Sequence, residues 1–432
     1  MTNIKDIASY ALDELKKAGA DKASVSISKG RKDEFNVEAN KFSLLRTLFD
    51  DSLALKALVG GRKGVAIINK LDKDSVYEAV ENCITLAKAA SPDEAEDIAP
   101  LSQNQDFDQT VGGMDKAKLF ARSSEYLEQV KDEFPKIILE GFVSEFNGAE
   151  AVYANSNGVC FGQNVENYSF QSMFVAKDGD NSSSFNGTGA VMANLDLPLI
   201  DVDPLHRQQL HDSVKALNTK MVDGKFTGEV IITPTCADLW YALDDCFLGN
   251  RALIEGTSQW KDALNTLVAD PRLTLRTVPL SSDVVSGERY TSDGFISENM
   301  DIIKDGVLKS FMLGLYGANK SGKPRALNTS MSFEVSAGDV ALEDMIKGIK
   351  RGVLMNRFSG GSPSSSGEVS GVAKNSFMIE DGKITDALSE TMVSFNILDA
   401  LKNIKSISKE RNKDGHSILP WIAFNEITVS GK

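Results

Sequence analysis

Histidine is scarce in this 432-residue chain, which holds only His206, His211 and His416. A Ser-His-Asp or Cys-His site needs an imidazole base, so at most three positions qualify, and no Gly-x-Ser-x-Gly elbow accompanies them. Cysteine is nearly as sparse. Cys83, Cys160, Cys236 and Cys246 form no Cys-x-x-Cys pair and are too few for a disulfide framework in so long a chain. Reduced thiols in the cytoplasm are the expectation. Positive charge is also short: 47 Lys and Arg against 61 Asp and Glu leave a net charge of −14. Nucleic-acid affinity comes largely from Lys and Arg displacing counterions, so neither nucleic acid nor an anionic membrane is expected as a partner. There is no run of about 18 apolar residues to cross a bilayer, and the first residues lack the apolar stretch of a signal peptide.

What is present is the composition of an ordinary globule, 42% hydrophobic and 25% charged. At about 100–200 residues per domain, two to four units are expected. Ile4, Ile7, Ala8, Ala11, Leu12 and Leu15 recur at helical spacing up to Gly19. Short alternating runs follow at 23–28, 42–49, 53–59 and 65–68, and Val76, Val80, Cys83, Ile84 and Ala87 mark a second helix. Residues 91–112, polar and without a period, read as a linker between an N-terminal unit (1–90) and a middle unit (113–220). The middle unit repeats the grammar: a helix around Leu119 to Val130, strands at 137–145, 150–154, 158–162 and 168–176, and a helix near 203–218. Residue identities do not decide between duplication and coincidence.

From about 221 to 432 the pattern turns β-rich. Glu229 to Thr233 reads as a strand, Ala237 to Phe247 as a helix, and Leu342 to Val353 as another. Asp305-Gly306 and Asp381-Gly382 each sit between alternating runs, where a type I′ hairpin turn needs positive φ. The fold class predicted is α+β, with antiparallel sheets and flanking helices: a two-part N-terminal domain, then a β-rich C-terminal one.

The remaining motifs offer little chemistry. His206 and His211, five apart on a helix, have Arg207 where a zinc hydrolase would carry its Glu, and read as a solvated polar face. Gly317 to Lys323 fits seven places of a phosphate loop, but Pro324 replaces the hydroxyl residue, so it reads as a Gly-rich turn. The loop around Gly360, Gly361, Ser364 and Gly367 is a candidate cleft border.

Five segments carry a resemblance through their order: Ile303 to Phe311, Gly317 to Gly322, Ile349 to Leu354, Ser370 to Gly382 and Leu398 to Ile404. They resemble the TldD/TldE proteins, also called PmbA or modulator-of-gyrase proteins. Asn155 to Val159 and Phe170 to Ala176 resemble the family's middle region, so the likeness covers nearly the whole chain. The resemblance implies a metallopeptidase family whose TldD-type subunits bind zinc through His-Glu-x-x-x-His and a distal Cys. The matching helix here, Thr235 to Gly249, holds no histidine, and Arg411 takes the place of that cysteine, with His416 closing the segment. Cys236, Asp238, Asp244, Asp245 and Cys246 remain on the helix as degenerate-site positions; core or cap roles, not ligation, are expected of them. The resemblance thus implies a zinc-less, TldE-like subunit, inactive alone. It carries no metal or other cofactor itself, pairs with a zinc-bearing TldD-type subunit and acts on unfolded peptides. By itself it would form a two-fold homodimer burying more than about 2,000 Å². A stand-alone peptide-binding scaffold and a hydrolase with unrecognised ligands are the alternatives.

Overall fold

The computed structural model describes residues 3–431, and its 22 strands and ten α-helices are those of an α+β protein with largely antiparallel sheets. The N-terminal half is built on one eight-stranded sheet, not two separate units. Strand Lys22–Glu38 pairs with Lys41–Val59 on one side and with Ile137–Asn155 on the other, so the first and middle units share a continuous ladder. Helices Ile4–Lys17 and Lys73–Ala89 cover one end of this sheet, packing on Val25, Ile27, Leu53, Leu55 and Val152. Helix Lys116–Glu133 and the short helices Leu199–Val202 and His206–Lys215 cover the other end, over Phe35, Phe142, Phe170 and Phe174.

Three sequence readings change here, each for a physical reason. The four strands read between 137 and 176 are two strands of 19 residues, Ile137–Asn155 and Cys160–Asp178. Their middles, around Asn147-Gly148 and Asn164 to Asn167, lie where the pattern of apolar burial lapses, and pairing continues unbroken through them. The segment 91–112 is packed rather than slack. Ala95, Ile98 and Ala99 are buried, Glu96 pairs with Lys56 and Lys63, and Gln105–Gln109 adds a parallel strand beside Cys160–Asp178. Its polar composition reflects these pairings. The helix read at Leu342 to Val353 stops at Lys347, and Arg351–Met355 is a strand, because its apolar run is buried beside a parallel neighbour, Lys225–Ile232.

The C-terminal half holds a 14-stranded sheet around Lys225–Ile232, which lies between Arg351–Met355 and the antiparallel strand Ile418–Ser430. Both Asp-Gly hairpins form. Asp305 and Gly306 have φ of 49° and 76°, and Asp381 and Gly382 have φ of 45° and 76°. The Gly-rich stretch from 317 is not a turn: it lies on helix Leu315–Ser321, closed at Gly322. Among the described residues, no helix is long and apolar enough to cross a membrane.

Candidate functional site

Strand Lys225–Ile232 runs out into Thr233-Pro234-Thr235, whose hydroxyls bond each other and the carbonyls of Met355 and Asn356. This anchored turn launches helix Asp238–Leu243, which continues without a break into a π-helical turn, Asp244–Leu248. The widened turn is closed by Gly249 N–H donating to Asp244 O at 2.8 Å, five residues back. Trp240, Leu243, Phe247 and Leu248 sink into the main core and fix the roll of the helix. Across from it stands the hairpin arm Arg357–Gly360 and Glu368–Lys374, joined to Met392–Asn396.

Between helix and hairpin lies a cavity of 280 Å³. Tyr241, Phe358, Phe395 and Pro363 give it apolar walls, Asp238 and Asp245 give it carboxylates, and Gly360 and Gly361 form part of its border. Ser364 and Gly367 lie further along the loop. Ser364 bonds Ser366 at 2.8 Å, and Gly367 turns the chain at φ 91°.

The helix's candidate donors have other uses. Cys236 is buried and donates its S–H to Met355 O at 3.4 Å; burial pushes its pKa up to about 12. Cys246, half-buried, donates to Pro363 O at 3.4 Å, and burial and Asp245 raise its pKa. The two thiols thus pin the helix to the segment that forms the hairpin arm. Asp244 has a buried Oδ1 without a partner, and burial, then the neighbouring Asp245, pushes its pKa up to about 6. Arg411 is held elsewhere: its Nη1 bonds Glu334 at 2.9 Å, in a chain of charges that includes Arg276 and Asp301. His416 is exposed in a turn, its N–H on Asp414 Oδ1 at 2.8 Å. Neither lines the cavity.

A zinc site does not fit these residues. The thiols are committed as donors to carbonyls, no imidazole stands on the helix, and no group of three His, Cys, Asp or Glu among the described residues is placed to hold a metal ion. His206 and His211 also fail as a pair, though not as a solvated face. His206 is wholly buried against Tyr126, Phe170 and Phe174, and burial pushes its pKa down to about 3, while His211 is exposed.

Sequence reasoning missed Arg357. Its guanidinium stacks on Phe185 at 4.0 Å, its Nε is buried without a partner, and burial lowers its pKa against the pull of Cys236 and Asp238. A lone Arg before a Gly/Ser loop carries no signal for this; the partner ring is 172 positions away.

Residues 225–431 match the family model described as the PmbA/TldA metallopeptidase C-terminal domain. The chain is 23% identical to Metalloprotease PmbA of Escherichia coli O157:H7, over 99% of this chain and 96% of that one. Over 159 residues, 34% of this chain and 36% of the other, it is 26% identical to a zinc metalloprotease TldD homolog of Saccharolobus solfataricus. Its fold superposes on the crystal structure of TldE from Thermococcus kodakarensis with a TM-score of 0.86 at 18% identity, over 99% of this chain and all of that one. With a fold shared along its length and a family match over its C-terminal half, the chain belongs to the PmbA/TldD family of metalloproteases.

Proposed function

We propose that this chain is a zinc-less, TldE-like subunit of a cytoplasmic TldD/TldE-type metallopeptidase complex. It receives unfolded peptide segments while a TldD-type partner supplies zinc and cleavage. The observation that carries this reading is the donor set on the helix from Cys236 to Leu248: two thiols bonded to carbonyls, a carboxyl sealed inside at Asp244, and no imidazole. Zinc hydrolysis needs ligands that leave one open position on the metal and a base beside it. This helix offers neither, yet it keeps a walled cavity. Aromatic walls and two carboxylates suit an extended peptide with apolar or basic side chains, and an edge of the hairpin supplies main-chain groups for it. The full-length likeness to PmbA and to TldE supports the same assignment.

Co-expression with a TldD-type subunit, followed by size-exclusion chromatography and a peptidase assay on an unstructured peptide, tests the reading. The two chains should co-elute and cleave, whereas this chain alone should hold no stoichiometric zinc and leave the peptide intact. About one tightly bound zinc per chain, together with chelator-sensitive cleavage by the chain alone, would overturn it. Separate elution with unchanged partner activity would leave a stand-alone peptide-binding scaffold in its place.

A further inference from the structure

A second pocket, of 570 Å³, lies where helix His206–Lys215 of the N-terminal half meets the C-terminal sheet. Strand alternation separates it from the cavity beside Cys236. Ile232 and Met355 line that cavity, whereas their neighbours Ile231 and Leu354 belong to another apolar cluster, with Phe377 and Trp421, on the opposite face. The two cavities share no lining residue.

The lining of this pocket is divided by chemistry. Leu342, Ile346, Leu354, Phe377, Ile384 and Trp421 give it apolar surface, and Ile384 is 42% exposed. Of the two charged side chains in the lining, Asp212 is buried and Lys215 is exposed. Asp212 Oδ1 accepts a bond from Gln208 Nε2 at 2.7 Å, and Oδ2 accepts one from Asn356 Nδ2 at 3.3 Å. Both donors are neutral. Lys215 Nζ stands 3.8 Å from Oδ1 on a half-exposed side chain, a loose pairing for a buried carboxylate. Beside it, Gln209 is 6% exposed; its amide N–H is spent on Gly187 O at 3.1 Å, and its Oε1 is buried without a partner.

Asp212 taken singly is a strut between the two halves. A strut needs neither an unspent acceptor on Gln209 nor apolar walls around open space. Burial raises the pKa of Asp212, so a cation arriving beside it would offset the desolvation that the fold imposes. Acceptors on the helix and apolar surface on the sheet complement a molecule with a charged donor at one end and an apolar body at the other. We propose that this pocket binds a small organic cation, its primary ammonium bonded to Asp212 and Gln209 Oε1 and its apolar body laid on Trp421 and Ile346. The inference rests on this pocket alone; it is independent of the zinc-less-subunit reading, and a failed peptidase assay leaves it untouched.

Calorimetric titration of the full chain with phenethylamine tests it. Saturation with a Kd below about 1 mM is expected for so small a ligand. Phenylpropionate, of similar shape but anionic, should not bind, and ethylamine, which lacks the ring, should bind at least about tenfold more weakly. Asp212→Asn keeps the shape of the side chain without its charge and should weaken phenethylamine binding at least about tenfold. Lys215→Gln frees Asp212 of its own cation at an exposed position and should tighten binding about threefold, a gain that misfolding could not produce. Asp238→Asn, in the cavity beside Cys236, should leave the affinity unchanged. Absence of saturation up to about 10 mM overturns the proposal. So does equal binding of phenylpropionate, or an affinity lost in Asp238→Asn and kept in Asp212→Asn, which would put the amine in the other cavity. If circular dichroism shows that Asp212→Asn does not fold, Lys215→Gln decides alone, and unchanged or weaker binding overturns the proposal.

Discussion

At the scale of single residues, partners set the chemistry of carboxylates such as Glu34 and Asp93, whereas burial sets that of His206, Asp244 and the thiols. His206 is the clearest case. Its folded pKa near 3 lies below the unfolded value near 6.5, so protonation favours the unfolded chain. The stability it contributes is complete above pH 6.5 and is lost as pH falls toward 3, at up to about 1.4 kcal/mol per pH unit. Asp244 acts in the opposite sense. Its folded pKa near 6 lies above the unfolded value of 3.8, so the stability of its neutral form is lost as pH rises through that interval. Urea unfolding of single variants should separate them. His206→Phe should flatten the loss of stability on the acid side. Asp244→Asn should raise stability at pH 7 by about 1–3 kcal/mol, by removing a buried charge. If Asp244→Asn destabilises the chain at pH 7, the carboxylate has a partner that the geometry does not reveal. Sequence reasoning found the missing histidines of the helix, because an absent residue type needs no tertiary information. It placed His206 in solvent for the opposite reason: Tyr126, Phe170 and Phe174 lie 32 to 80 positions away, and only the fold gathers them. Thiol chemistry follows the same rule. Alkylation at neutral pH should modify Cys160 and Cys246 slowly, and Cys83 and Cys236 only after denaturation, since burial pushes the last two to about 11 and about 12. Rapid labelling of Cys236 in the native chain would mean that the helix opens away from the hairpin.

At the scale of elements, local chemistry was legible where it fixes a turn and illegible where it is uniform. Asp305-Gly306 and Asp381-Gly382 announce their hairpins because two successive positive φ values admit few residues. Arg351–Met355 read as a continuation of a helix, since a short apolar run buried on both faces has no period to distinguish strand from helix. The long strands broke into fragments on paper for a related reason: their polar middles span the gap between the two helical layers. Gly382 gives a direct test of turn geometry. Its φ is 76°, and a Cβ there would stand 2.8 Å from Lys347 O, whereas Gly179, at φ 60°, has nothing within 4 Å. Gly179→Ala should therefore cost about 1 kcal/mol from conformation alone, and Gly382→Ala clearly more, because it also displaces the end of helix Leu342–Lys347. Equal losses in urea titrations would show that the hairpin end yields freely.

At the scale of the whole molecule, the two sheets are joined by a small core that neither half's sequence announces. Tyr153, Val159 and Phe161 from the N-terminal sheet pack with Phe107, Tyr290 and Ile296, the last two from the C-terminal half. The 91–112 segment adds polar contacts nearby: Asp93 holds Lys320 at 2.9 Å and Tyr316 at 3.0 Å, and Asn319 donates to Ala95 O at 3.0 Å. A segment read as a spacer is therefore a strap, which joins contacts such as Arg357 on Phe185 and Asn356 on Asp212 in seating the cavity-bearing half against the N-terminal sheet. Aromatic packing across the joint should make the halves unfold together, giving one calorimetric transition. Gly294 is where this coupling can be broken selectively. Its φ is 93°, and a Cβ would lie 2.3 Å from the Tyr153 ring, so Gly294→Val must push the ring out of the joint while touching neither main core. The expected result is two separated transitions, the C-terminal half keeping the cavity beside Cys236. A single transition at unchanged temperature would mean that contacts outside this aromatic core, among them Asp93 with Lys320, Arg357 with Phe185 and Asn356 with Asp212, suffice to hold the halves together.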